Sequence, residues 1–410
     1  MSREAVELML HTKGDKDPLT IELMGELSNR LMIGQHAVEA LAYADRAYEA
    51  ALSTFRDPDQ PAVVKQLSNY AYALEATGQF KAAEAQWQRV LEADRKTFNP
   101  LSPQVAMALI GLGRARERSG ELKESLANYE ESLTVMKGYG ATTGSELAIR
   151  YFAIGRAALL ARQPELAVSS LTEAIAQGSQ AYGRDSSRVH DAQDLRAASL
   201  TYGGDLEAAD RILVKRIAQD RSTHAPSLPP LLRYRSLLER ARGNAAASLS
   251  AAQEAWDTLM ATEDPPPRVQ GQTLSTLGQA QLDAHNVAPA AQSLERAIPM
   301  LLAAESLPTP QQADAWVALG RVRLEQGQYD DAQRWLFNAA GFWEKFDPDN
   351  VFGGEAAFWY AQTLVAKGQS SLARQQLLRA TQLLETSTWP IHRELLRRGR
   401  AELAGKSPAK

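Results

Sequence analysis

The sequence predicts an all-α fold, an α-α superhelix (solenoid) of about nine helical hairpins with a C-terminal capping helix. Three observations predict it. A turn signal, Gly-x-(apolar)-x-x-Ala followed by a large apolar residue, starts at 34, 78, 120, 162, 204, 243, 285, 327 and 368, at intervals of 44, 42, 42, 42, 39, 42, 42 and 41 residues. Self-similarity at such a period marks a helical repeat array, in which each unit buries its apolar face against its neighbours. A small residue stands seven before the turn in eight units (Ala71, Gly113, Gly155, Ala197, Ser236, Gly278, Gly320, Ala361). Ala stands five after it in six (Ala83, Ala167, Ala209, Ala290, Ala332, Ala373), so two antiparallel helices can approach closely. Finally, Pro, Asp and Asn gather between units, where a second helix must hand over to the next first helix.

Taken in order, residues 1–18 form an N-terminal extension, and the unit around Gly34 keeps the pattern least well, together with the fifth. The second unit is the clearest. Leu67, Tyr70, Ala71 and Leu74 fall on one helical face, Thr77-Gly78-Gln79 breaks the helix, and Phe80, Ala83, Trp87, Val90 and Leu91 carry a second one. Asp57-Pro58-Asp59-Gln60-Pro61 precedes this unit, and Lys96-Thr97-Phe98-Asn99-Pro100 leads into the third, whose turn is Gly120. Arg162 replaces the turn Gly in the fourth unit and Gly204 restores it in the fifth. The segment 221–230 coincides with the single short interval, so a joint is expected there between units 1–5 (19–220) and units 6–9 (221–388). Pro265-Pro266-Pro267, Pro308-Thr309-Pro310 and Asp347-Pro348-Asp349 separate the later units, with His285 in place of Gly at the seventh turn. Residues 389–404 read as a capping helix, expected where an open array ends, and 405–410 as a disordered tail.

Composition narrows the function. The chain has 410 residues, 44% apolar and 23% charged, with a net charge of −4. That balance argues against a nucleic-acid surface as the main role. With no cysteine, disulfides, thiolate catalysis and Cys-bound zinc are excluded. Residues 1–10 carry both charges and no apolar segment of a secretory signal, and no stretch approaches the roughly 18 apolar residues of a membrane span. The expectation is a soluble cytoplasmic protein that binds no membrane.

The motifs resemble the tetratricopeptide repeat. Leu277-Gly278 and Leu319-Gly320 match its Leu-Gly step, Trp316 its leading aromatic, and Gly78-x-Phe80-x-x-Ala83 and Gly327-x-Tyr329-x-x-Ala332 its inter-helix turn. The resemblance covers about 19–390, and the longer period is similar to the kinesin-light-chain type of repeat, also found beside bacterial kinases and winged-helix regulators. It implies a concave face lined by first helices that contacts peptides.

Chemistry finds little purchase. His11, His36, His190, His224, His285 and His392 are isolated, with no i, i+4 pair for a metal. Gly111-Leu112-Gly113 lacks the Gly-Lys-Ser/Thr of a phosphate loop, and Asp347-Pro348-Asp349-Asn350 lacks the later Gly and Glu of a calcium loop. No catalytic residue, metal or cofactor is expected. On the face that the resemblance makes concave, six before each turn, stand Tyr72, Arg114, Arg156 and Arg321. Arg118 lies one turn after Arg114, Phe152 one turn before Arg156, and Phe358 and Trp359 fall near the same face of the last unit. Paired guanidiniums fork onto carboxylates, so Arg114 and Arg156 suit an acidic peptide. The competing reading is a solvated face of Arg–Glu pairs such as Arg114 with Glu117, and for the aromatics, inter-repeat core. The expectation is thus a non-enzymatic scaffold for a peptide segment of a partner protein. The alternative is a ligand- or peptide-responsive module of a bacterial kinase or transcription regulator. The partner and the oligomeric state are not written in the sequence.

Overall fold

The computed structural model describes residues 3–34, 36–140, 144–223, 225–304 and 307–405, and every regular element among them is an α-helix. A first helix, α1 (Arg3–Lys13), precedes nine hairpins. They are α2 (Pro18–Ile33) with α3 (Ala37–Phe55), α4 (Pro61–Ala76) with α5 (Phe80–Thr97), and α6 (Pro103–Ser119) with α7 (Leu122–Gly138). There follow α8 (Gly144–Leu160) with α9 (Pro164–Tyr182), α10 (Ser187–Gly203) with α11 (Leu206–Thr223), and α12 (Leu228–Ala241) with α13 (Ala245–Met260). The last three are α14 (Pro267–Asp283) with α15 (Val287–Ala304), α16 (Pro310–Glu325) with α17 (Tyr329–Phe346), and α18 (Val351–Ala366) with α19 (Ser370–Leu384), capped by α20 (Pro390–Leu403). Apart from Gly405, the expected tail lies outside the described residues, as does His224.

The turn chemistry acts as the sequence implies, with two refinements. In hairpin 2, Gly78 is left-handed (φ 78°), and Gln79 N–H donates to the Leu74 carbonyl at 2.9 Å, which closes the end of α4. Arg162 and His285 adopt the same left-handed conformation without being Gly (φ 59° and 62°). Gly34, by contrast, has φ −79°. Elsewhere the second helix starts two residues after the turn residue, and α3 starts at Ala37, so the first unit's register is set one residue later than Gly34. Ser28 then takes the small position, fully buried, and its hydroxyl donates to the Ala40 carbonyl at 2.8 Å.

In hairpins 3, 7 and 8 the glycine seven before the turn faces the large residue nine after it. A Cβ on Gly113 would lie 2.6 Å from the Tyr129 ring, one on Gly278 2.6 Å from Leu294 Cγ, and one on Gly320 closer still to Leu336. Successive first helices also approach one another (α2 and α4, α4 and α6, α12 and α14, α14 and α16, α16 and α18), which makes them the inner layer of the curve within a unit.

The chain falls into two compact units, Met1–Ala157 with Ala176–Gly183, and Ala158–Ile175 with Arg184–Lys410. The 221–230 link thus lies inside the second unit, and the division falls within hairpin 4. In the first unit the core runs through Met24, Leu67, Trp87, Leu109 and Leu112. The extension read as 1–18 contains α1, which docks through fully buried Val6 and is tied by Arg3 to Glu39 (2.6 Å) and by Tyr43 Oη to Glu7 (2.8 Å). In the second unit Ala313, Leu319, Leu336, Trp343 and Phe352 form the main core, and α20 buries His392, Leu395 and Gly399.

Adding one methyl group should separate packing from helix propensity. Gly278→Ala and Gly320→Ala should each destabilise by about 1–3 kcal/mol, the cost of overpacking. Gly341→Ala, on helix α17 with nothing within 4 Å of its added Cβ, should instead stabilise by about 0.5–1 kcal/mol. Denaturant midpoints of the three variants check this, and three shifts of one sign would refute the assigned contacts.

Candidate functional site: the inner helical faces

In the first unit, charged residues of successive first helices interlock. Glu75, three before its turn, accepts from Trp87 Nε1 at 2.7 Å and from Arg114 Nη2 at 2.9 Å. One hairpin on, Glu117 accepts from Arg156 Nη2 at 3.1 Å and from the Tyr129 hydroxyl at 3.3 Å. Each guanidinium also covers an aromatic ring: Arg114 lies 4.7 Å from the centre of Tyr72, and Arg156 5.7 Å from that of Phe152. Burial disfavours the Arg114 cation, but the hydrogen bonds and the charge of Glu75, with Tyr72, together outweigh this and hold it above the usual arginine range. For Arg156 the charge of Glu117 is the dominant cause of the same upward shift. These pairs cross from one hairpin to the next, so they fix the register between neighbouring hairpins of the first unit.

Beside this ladder, α4, α5 and α6 enclose an open cavity of about 340 Å³, lined by Val64, Tyr72, Trp87, Val90, Asp94 and Met107 among others. Tyr72 packs edge-on against Trp87 with ring centres 4.7 Å apart. Asp94 is 6% exposed, and burial alone pushes its carboxyl up to about 6. Lys65, also in the lining, bonds Glu22 at 2.7 Å.

The second unit fills its inner face with its own chain. Arg240 bonds Asp283 (2.8 Å) and Glu355 (3.1 Å), Arg321 bonds Asp283 (3.1 Å), and His392 Nε2 meets Glu355 at 3.3 Å. Desolvation opposes the Glu355 carboxylate, yet Arg240, His392 and Arg321 together hold it well below the usual range. A cavity of about 10 Å³ between Arg240, Asp314, Arg321 and Glu355 has room for about one water. Arg162, in its left-handed turn, bonds half-buried Asp314 and lies 4.2 Å from the centre of Tyr202. Trp389, just before α20, donates its Nε1 to the Thr201 carbonyl at 3.2 Å and stacks on His392.

The residues expected on the concave face are therefore placed as follows. Tyr72, Arg114, Phe152 and Arg156 lie together along the inner face of the first unit. Arg114 pairs with Glu75, not with Glu117. Arg118 instead lies over the Phe80 ring, 5.1 Å from its centre. Arg321 lies inside the ionic cluster of the second unit, 4.7 Å above Trp359. Phe358 has no exposed surface: α20 covers it, with Leu395 in contact and Arg398 5.1 Å above its ring, so it is core and not groove. Trp359 stays half-buried between Arg321 and Arg398. The residues that sequence reasoning does not name are the acceptors Glu75, Asp283 and Glu355, and Asp94; Glu117 is named, but as the partner of Arg114, where the structure gives it to Arg156. Glu75 could have been found, because it stands 42 residues before Glu117, the same spacing as Arg114 and Arg156.

Among the described residues no helix is long and apolar enough to cross a membrane, and no group of three His, Asp or Glu is placed to hold a metal ion.

These stacked, small-residue-sealed hairpins define a helical-repeat solenoid. Residues 65–138 match the family model of the tetratricopeptide repeat. Tetratricopeptide repeats thus occupy that segment, and the whole chain has the fold of a tetratricopeptide-repeat solenoid. The apo form of the quorum sensor NprR from B. thuringiensis is similar at 14% identity over 89% of this chain and 98% of that one, with a TM-score of 0.55. NprR in complex with its cognate peptide NprX is similar at 13% identity over 94% and 99%, TM-score 0.57. Kinesin-light-chain TPR-like repeats from Podosopora anserina are 20% identical over 50% and 97%, TM-score 0.44. No curated protein matches the chain.

Two outcomes follow from the geometry. An acid whose pKa is raised by folding is better protonated in the folded state, so its contribution to stability is lost as pH rises from about 4 through about 6. Asp94→Asn should therefore gain on the wild type across that window and hold a constant advantage above about pH 7. Melting temperatures at a series of pH values check this, and a pH-independent difference would refute it. Arg162→Gly relieves the left-handed backbone but takes the guanidinium away from the half-buried Asp314 carboxylate. It should destabilise by about 1–3 kcal/mol, the cost of leaving a desolvated polar group without its partner, and stabilisation would show that the turn alone governs this position.

Proposed function

We propose that this protein is a non-enzymatic scaffold that binds a peptide segment of a partner protein along the inner face of its first unit. The observation that carries this reading is the contrast between the two inner faces. In the second unit the face is occupied by ion pairs, Trp389 and α20, whereas in the first unit α4, α5 and α6 leave a cavity of about 340 Å³ beside Tyr72. Apolar-lined concavities with few polar groups are the usual form of a ligand site. NprR, which shares the fold, has been solved with a bound peptide. Tyr72, Arg114, Phe152 and Arg156 would flank the bound segment, with Arg118 at its margin. Arg114 and Arg156 already hold Glu75 and Glu117, so an acidic ligand would have to compete with these carboxylates. Their first task is to hold the groove in register.

A regulatory role, in which ligand binding biases an effector, is the second reading. It is favoured by the division of the chain into two compact units, the first of which holds this open cavity beside its cross-hairpin ion pairs.

The test is selection of peptides from a displayed random library on the full chain, then photocrosslinking from a reactive residue at Met107 and from one at Val214, an exposed position on α11, a second helix. Crosslinks should form at Met107 and not at Val214, and Tyr72→Ala should weaken binding at least about tenfold. Crosslinks that favour Val214, or unchanged affinity in Tyr72→Ala, would refute the assigned face.

A further inference from the structure

Asp94 is out of place by every physical measure. It stands sixteen residues after the turn, where the other hairpins place Ala51, Met136, Gly178, Asp220, Leu259, Leu301, Trp343 and Leu384, most of them apolar core. It falls in the last turn of α5, where the partial negative charge of the helix end opposes an anion. It is 6% exposed and has no hydrogen-bond or ion-pair partner for its carboxylate among the described residues. An uncompensated buried charge of this kind is costly, and structures retain one chiefly where something else supplies the partner.

Hairpin 5 shows how the chain solves the same problem internally. There the equivalent carboxylate, Asp220, meets Arg216 at 3.1 Å, one helical turn before it. In hairpin 2 the residue one turn before Asp94 is Val90, which cannot supply a cation and lines the cavity instead. The basic residues nearby on these helices are committed elsewhere: Lys65 to Glu22 (2.7 Å), Lys96 to Asp59 (3.0 Å) and Arg95 to Glu131. The rest of the lining is mainly apolar or aromatic, from Val64, Tyr72 and Trp87 to Met107 and Ala108.

We propose that this cavity takes a basic side chain, an arginine or lysine of an extended peptide, whose cation bonds the Asp94 carboxylate while its methylenes lie against Trp87, Val90 and Met107. Long basic side chains suit such a pocket, since their stems are apolar and only the tip is charged. The inference rests on the groove reading above and reverses the charge expected of the ligand: the first unit selects a basic anchor, not an acidic one. Burial holds the Asp94 carboxyl near 6, so the site is ionised at physiological pH and awaits a cation.

The test uses the full chain and four peptides, acetyl-Gly-Leu-X-Leu-Gly-amide with X = Arg, Lys, Gln or Glu, titrated calorimetrically at about pH 7.5. The Arg and Lys peptides should bind at least about tenfold more tightly than the Gln and Glu peptides. Asp94→Asn, a near-isosteric change that removes a buried charge, should abolish this preference while leaving the Gln peptide unaffected. Val90→Arg, which places a cation where Arg216 stands in hairpin 5, should abolish binding of the Arg and Lys peptides. Equal binding of all four peptides to the wild type, or a preference that survives in Asp94→Asn, would overturn the cation site and leave the groove reading intact. Absence of binding by all four would overturn this site, while the crosslinking at Met107 still judges the groove.

Discussion

The array depends on one kind of contact, the meeting of a small residue seven before the turn with a large side chain nine after it, as at Gly113 with Tyr129, Gly278 with Leu294 and Gly320 with Leu336. At Gly113, Gly278 and Gly320 there is no room even for a methyl group. This contact sets the distance between the two helices of a hairpin, and so the distance at which the next hairpin can stack. Seven of the nine hairpins carry a large residue at that position, with Ala44 and Ala252 in the first and sixth, and within each compact unit successive first helices approach one another. The inner side chains can then reach from one hairpin to the next, which is what allows Glu75 to hold Arg114 and Glu117 to hold Arg156.

The two units use that inner face for different ends. In the first, cross-hairpin ion pairs stiffen the face and leave a cavity beside them. In the second, the same kind of pairing is condensed into a buried network of Arg240, Asp283, Arg321, Glu355 and His392, sealed by Trp389 and α20. Buried networks of this sort add little net stability but penalise any arrangement that leaves one member unpaired. They therefore specify the geometry of the second unit more than they strengthen it. At Arg162 the turn itself imposes the left-handed backbone, as it does at Gly78 and His285, and the side chain placed there reaches Asp314.

Most of the fold was legible because its determinants are local. Gly at helix ends, Pro at helix starts and Ala at close contacts act within one hairpin, and the 42-residue period makes each of them visible many times. Gly34 misled by one residue, since its Gly resembled the turn signal while the helix start at Ala37 sets the register. The site was legible only in outline. Tyr72, Arg114 and Arg156 stand on successive first helices, but the carboxylates that hold the two arginines lie one hairpin away, beyond the reach of spacing rules within a hairpin. Phe358 was misplaced for a similar reason, because what covers it is α20, an element outside the repeat. Asp94 required comparison of equivalent positions far from the turn, where a carboxylate among Leu, Met and Trp stands out only once the register is known.

The bond from Trp389 to Thr201 spans 188 residues of chain. A repeat array held by neighbour contacts alone has low contact order, and it can nucleate anywhere and fray from its ends. Tying the element before α20 to hairpin 5 removes that freedom from the second unit, since its last helix finds its seat only after the intervening hairpins have formed. The second unit thereby carries a contact of high sequence separation, whose loop-closure cost must be met before the contact can form, whereas the cross-hairpin pairs of the first unit join neighbours in the chain.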